Sequence, residues 1–181
     1  MTLGFSVVDF DLDADQRAWL AEVREFLQDN VTEALRAEIA EHNLEYPGGE
    51  VAAFRRKLGA KGWFGLNWPP EYGGLGLGAV HLHLLMTEFE YWGAPGPDLT
   101  VTSIAPMIMR HGTEANKHEY LPLIARGEMT CALGYSEPDA GTDLASLRTR
   151  AVRDGDEWVI NGSKIWNSGA QRTAPGCGSA R

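Results

Sequence analysis

Leu147 to Trp166 reads L-R-T-R-A-V-R-D-G-D-E-W-V-I-N-G-S-K-I-W. The run is rich in β-branched and aromatic residues, and Asp154-Gly155 sits between Val152 and Trp158 as a hairpin turn signal. Asn161-Gly162 supplies a second turn signal, and Cys131 to Tyr135 (CALGY) reads as a short strand ahead of both. This stretch therefore predicts an antiparallel sheet beginning near Thr130.

Everything before it has a different period. Asp13-Ala14-Asp15-Gln16 offers a side-chain cap, and Trp19, Val23, Phe26 and Leu27 follow at helical spacing. A second helix is expected from about Val31 to Ala40, and a third, after the Tyr46-Pro47-Gly48-Gly49 break, from the stripe Val51, Phe54 and Leu58. Gly62 stands where a C-terminal glycine belongs. Trp63 to Gly78 (WFGLNWPPEYGGLGLG) holds two prolines and five glycines, so it reads as an ordered loop. Ala79 to Tyr91 reads as a helix with Leu82, Leu85, Met86 and Phe89 on one face. Asp98 can cap another, running through Ile104 and Met107 to about Arg110 and bent by Pro106. Thr113 opens a shorter one that Pro122 is expected to end. Helices followed by strands predict an α+β chain: an all-α domain over residues 1–129, then an incomplete antiparallel β-domain over 130–181. The tail Arg172 to Arg181 (RTAPGCGSAR) offers no further apolar strand, so the chain reads as truncated, with an altered frame near Gln171 as one source.

Composition narrows the function classes. The 181 residues are 44% apolar with six tryptophans, which is a globular profile, and no apolar run nears the roughly twenty residues of a membrane span. The net charge of -9, with no basic stripe, argues against nucleic acid as a partner. Met1 to Gln16 carries acid where a leader would carry Lys or Arg, so the expected compartment is the cytoplasm. Cys131 and Cys177 match no metal or disulfide spacing. No metal site is expected. His81 and His83, two apart on a helix, face nearly opposite ways, and the GGLGLG run follows no strand, so it is a turn and not a dinucleotide fingerprint.

Two stretches could carry chemistry. Gly134 to Asp143 (GYSEPDAGTD) puts Pro138 and Gly141 directly after a strand, a backbone able to aim N–H groups at an anion, with Ser136 and Thr142 adding hydroxyls. An ordinary Pro/Gly turn decorated with hydroxyls accounts for the same residues. Some twenty-five residues on, Trp166 is followed by Asn167 and Ser168, which suits a planar ring stacked on the indole with polar groups at its edge. A half-buried aromatic at a sheet edge is the competing reading.

Taken together, W-P-P-E-Y-G-G-L-G (Trp68 to Gly76), L-P-L-I-A-R-G-E (Leu121 to Glu128), Y-S-E-P-D-A-G-T-D (Tyr135 to Asp143) and N-G-S-K-I-W-N-S-G (Asn161 to Gly169) closely resemble the acyl-CoA dehydrogenase family over roughly residues 10–171. The resemblance implies FAD as cofactor, an acyl-CoA substrate, a place in fatty acid or lipid metabolism, an electron-transfer flavoprotein or similar acceptor, and a homo- or hetero-oligomeric full-length form. It implies that Leu133, Tyr135 and Ser136 meet the pyrimidine side of the flavin, and that Gly141 and Thr142 lie near its pyrophosphate, with Thr142 also approaching the thioester. Trp166 matches the residue lying against the isoalloxazine, with Asn167 and Ser168 beside N5 and O4. The region from Pro97 to Pro106 corresponds to the acyl pocket. In the family an α-proton passes to a carboxylate and a β-hydride to the flavin. That base usually comes from a C-terminal helical domain, so no catalytic residue is assigned here. Weak or absent FAD retention and no turnover by these 181 residues are expected. The alternative is a noncatalytic subunit or fragment keeping the helical fold and partial flavin contacts.

Overall fold

The computed structural model describes residues 11–42 and 48–170. The acidic start up to residue 10, the Tyr46-Pro47 part of the expected break, and the tail with Cys177 lie outside the described residues.

The predicted capping box forms. The Asp13 carboxylate accepts the Gln16 N–H at 2.8 Å while the Gln16 side chain accepts the Asp13 N–H at 3.1 Å, and α1 runs from Ala14 to Asn30. Its stripe of Trp19, Val23, Phe26 and Leu27 is buried as expected. The second helix, α2 (Glu33–His42), starts two residues later than expected, because Val31 closes α1 and the Thr32 hydroxyl accepts the Leu35 N–H. Next comes α3 (Gly49–Ala60). Gly48 has no side chain to cap it, so Glu38 of α2 takes over: its carboxylate accepts the N–H groups of Glu50 and Val51 at 2.9 and 3.0 Å.

The Pro- and Gly-rich loop is ordered around its aromatics. Trp63, Phe64, Leu66, Trp68 and Tyr72 are buried, and the Trp63 ring stands edge-on to Trp19 and Phe26 at centroid distances of 5.2 and 4.8 Å. Beyond it, α4 (Ala79–Trp92) packs on α1 and ends at Gly93, whose φ of +62° is the left-handed C-terminal conformation glycine favours. Leu85 and Phe89 of its predicted face are buried.

The helix after Asp98 is irregular. The Asp98 carboxylate accepts the Thr100 N–H at 3.0 Å, a π-helical turn spans Thr100–Ile104, and α5 (Ala105–His111) continues from it. Pro106 thus sits in the first turn of α5, where its missing N–H costs little. Pro122 does not end the last helix. Capped by Thr113, α6 runs Glu114–Ala125 straight through it, losing only the one bond Pro122 would have donated so near the end.

The sheet is smaller than the sequence suggests. Strands β1 (Arg150–Asp154) and β2 (Glu157–Asn161) form an antiparallel hairpin, with Val152 opposite Val159 and Arg153 opposite Trp158. The two loop residues are Gly155 and Asp156, one place later than the Asp-Gly signal, because Gly155 with φ +62° takes the first loop position. Asn161-Gly162 makes no tight turn; the chain runs on extended past Thr149. Cys131 to Tyr135 is not a strand either, but is tethered to the helices where the Cys131 N–H donates to the buried Thr100 hydroxyl at 2.9 Å. A helical domain followed by a small antiparallel sheet is the observed class. Among the described residues no helix is long and apolar enough to cross a membrane.

Candidate functional site

The two stretches singled out in sequence lie side by side. The Ile165 N–H donates to the Ser136 carbonyl at 2.9 Å, and the Asn167 side-chain amide donates to the Leu133 carbonyl at 2.9 Å. The Lys164 ammonium donates to the Tyr135 carbonyl at 3.1 Å. Residues 133–137 and 164–167 are thus laced together although some thirty residues separate them, and this brings Leu133, Tyr135, Ser136, Trp166 and Asn167 into one patch. Trp166 is 84% exposed and Tyr135 55% exposed, so two aromatic faces are open to a ligand.

The remaining residues of the predicted set are placed less tightly. Ser168 is exposed, and its N–H turns back to the Trp166 carbonyl at 3.0 Å, leaving its hydroxyl as the available donor. Asn167 uses one amide N–H on the Leu133 carbonyl, which ties it to the other segment. Gly141 and Thr142 are exposed just beyond the turn in which Glu137 and Ala140 exchange N–H to carbonyl bonds at 2.7 and 3.1 Å. The bonds joining the two segments do not include them.

Sequence reasoning missed Glu137. It is 7% exposed, and its carboxylate accepts the Arg148 N–H at 2.7 Å, the Thr149 N–H at 2.9 Å and the Lys164 ammonium at 2.9 Å. The neighbouring Thr149 hydroxyl, the Arg148 N–H and Lys164 hold it well below the ordinary carboxylate range, at about 2. The Thr149 hydroxyl is buried and makes no hydrogen bond, so it acts by its closeness alone, whereas the two backbone N–H groups and Lys164 bind the carboxylate directly. A small open cleft of about 210 Å³ beside this cluster is lined by Glu137, Pro138, Asp139, Ser146, Arg148, Thr149, Gly162 and Ser163, and by none of the predicted flavin contacts. Among the described residues no group of three or more His, Cys, Asp or Glu side chains could hold a metal ion. His81 instead meets Asp15 at 3.1 Å.

The chemistry on offer suits a planar ring with a polar edge: an exposed indole at Trp166, hydroxyls on Ser136 and Ser168, and a backbone fixed by three hydrogen bonds. Residues 13–128 match the acyl-CoA dehydrogenase N-terminal domain and residues 132–181 the middle domain of the same family. The chain belongs to the acyl-CoA dehydrogenase family. It is 39% identical over 160 residues to acyl-CoA dehydrogenase FadE29 of Mycobacterium tuberculosis (strain ATCC 25618 / H37Rv), covering 88% of this chain and 41% of that protein. The ChsE4-ChsE5 complex from Mycobacterium tuberculosis superposes with a TM-score of 0.81 at 39% identity, over 92% of this chain and 42% of that one. A glutaryl-CoA dehydrogenase from Mycobacterium smegmatis, solved in complex with FADH2, superposes at 0.64 and 30% identity, over 86% of this chain and 39% of that one. The chain spans about two-fifths of the length of these relatives.

Proposed function

We propose that this chain is the helical and flavin-contacting part of an enzyme that dehydrogenates an acyl-CoA thioester between its α and β carbons, with residues 1–129 as the helical domain and 130–181 as the start of the flavin-binding β-domain. The lacing of the Leu133 to Ser136 segment to Lys164, Ile165 and Asn167 carries this reading, because it brings together the two motifs that hold Ser136 and Trp166.

FAD held here would accept the hydride. The chain's own residues would do the rest. The Trp166 indole would lie against the ring, and the hydroxyls of Ser136 and Ser168 would meet its polar edge, where fixed donors would favour the negative charge that reduction builds. Gly141 and Thr142 would hold the pyrophosphate, with Thr142 also near the thioester. The π-helical turn Thr100–Ile104 falls within the region from Pro97 to Pro106 assigned to the acyl chain, and such turns recur at functional sites. No catalytic base is assigned. Glu137, at the end of the first paired segment, is engaged by three donors and held ionised with a pKa of about 2, which makes it an anchor and a poor proton acceptor.

A noncatalytic subunit is the second reading, and one observation favours it: a similar solved structure is a complex of two differently named chains, ChsE4 and ChsE5. An electron-transfer flavoprotein or similar carrier would take the electrons in either arrangement. Titration of residues 1–181 with millimolar FAD, followed by NMR, tests the assignment. Signals of Ser136, Trp166 and Ser168 are expected to move together, with retention too weak to survive gel filtration. Perturbations scattered away from those residues would sink the flavin reading. Reduction of a dye by acyl-CoA with this chain alone would overturn the absence of a base.

A further inference from the structure

Trp166 has φ +60°, and it is the one non-glycine residue among those described with a positive value. A bulky L-residue reaches that region only where its surroundings over-determine it. The surroundings here can be named. On one side the Ile165 N–H is bound to the Ser136 carbonyl, and on the other the Asn167 amide is bound to the Leu133 carbonyl. Two residues back, the ammonium of Lys164 is held between the Tyr135 carbonyl at 3.1 Å and a Glu137 oxygen at 2.9 Å.

Glu137 is itself fixed from three directions. Its backbone closes the turn with Ala140, and its two oxygens accept the N–H groups of Arg148 and Thr149, at the entry to β1. Those three donors use both oxygens, so a neutral amide in its place would turn an N–H toward at least one of them. The side chain therefore joins three separate pieces of chain: its own turn, the start of the hairpin, and the stretch that carries the strained tryptophan.

We infer that Glu137 is a positioning residue which, through Lys164, holds Trp166 in its left-handed conformation and so keeps the indole presented on the open side of the Leu133 to Ser136 segment. The role rests on the flavin reading above. Glu137 touches no ligand; it sets where the aromatic face stands, and the free energy of that strain is offset by the charge-assisted bonds behind it.

The test uses the whole 181-residue chain labelled with nitrogen-15, with the Trp166 indole signal assigned through Trp166→Phe. Glu137→Ala and Lys164→Met are expected to shift the Trp166 indole signal, to speed amide exchange at Ile165 by about tenfold, and to weaken the FAD-induced shift at Trp166 by a similar factor. Exchange at Val23 and Leu27 in α1 should not change, which separates a local effect from unfolding. Lys164→Arg keeps a cation that can reach both acceptors and is expected to restore wild-type exchange and FAD response. An unmoved Trp166 signal and unchanged Ile165 exchange in both disruptive variants, with a normal FAD response, would overturn the clamp alone. No FAD response at Trp166 in the wild-type chain would sink the flavin reading and the positioning role together.

Discussion

The Asn167 side-chain amide donates to the Leu133 carbonyl across 2.9 Å, so the residue that follows the strained Trp166 is pinned to the start of the Leu133 to Ser136 segment. Asn167→Ala removes the donor and leaves a half-buried carbonyl without it. The expected loss of stability is about 1 kcal/mol in urea unfolding. Asn167→Asp should cost more, because a carboxylate would face the carbonyl oxygen. Equal losses for the two would show that the bond does not form in solution.

Glu137 makes the stability of the chain depend on pH in acid. Its folded pKa, about 2, lies below the ordinary value of 4.5, with the Thr149 hydroxyl, the Arg148 N–H and Lys164 as causes. The folded state therefore binds this proton less readily than the unfolded one. Its contribution is full above about pH 4.5 and drains away as pH falls from there toward 2. Denaturant unfolding at a series of pH values should show wild type losing more stability than Glu137→Gln across that window. Parallel curves would remove the assignment.

Much of the helical half was legible because burial there repeats at 3.6 residues. Trp19, Val23, Phe26 and Leu27 could be read as one stripe, and Asp13 with Gln16 as one cap, since both lie within a turn or two of sequence. What was hidden depends on partners far along the chain. Nothing near Gly48 says that Glu38 of the preceding helix will cap α3, and nothing near Glu137 says that Lys164 will reach it. Strand signals overreached for the same reason. Cys131 to Tyr135 has strand-like residues, yet it makes only a single bridge at Ala132, while Thr100, Lys164 and Asn167 bind the backbone of Cys131, Tyr135 and Leu133. For the site, the residue types in the motifs were legible, whereas the positive φ at Trp166 is set by tertiary bonds and was not.

Glu88 is a buried acid on α4, 7% exposed, and Arg24 of α1 answers it with two bonds at 2.9 and 2.7 Å. The pair is asymmetric, because the Arg24 side chain is 59% exposed. Removing the arginine strands a desolvated carboxylate, whereas removing the glutamate releases a cation to water. Arg24→Met is therefore expected to destabilise by about 1–3 kcal/mol. Glu88→Leu should be near neutral. Chemical unfolding of both variants checks the order, and a larger cost for Glu88→Leu would contradict it.

Gly59 gives the sharpest packing prediction. It lies near the end of α3, buried, and a Cβ built there would stand 2.0 Å from the Arg126 carbonyl oxygen and 2.3 Å from its carbon, just past the end of α6. Alanine is the better helix former by about 1 kcal/mol, so propensity alone predicts that Gly59→Ala stabilises. The clash is with backbone and cannot be relieved by turning a side chain, so the two helices must separate, and overpacking of this kind costs about 1–3 kcal/mol or more. The contact term should win. Thermal unfolding of Gly59→Ala is expected to show a clear fall in Tm, while Gly49→Ala, where nothing among the described residues lies within 4 Å of the added carbon, should show none. A Gly59→Ala protein as stable as wild type would mean that α3 and the end of α6 do not approach as closely as described.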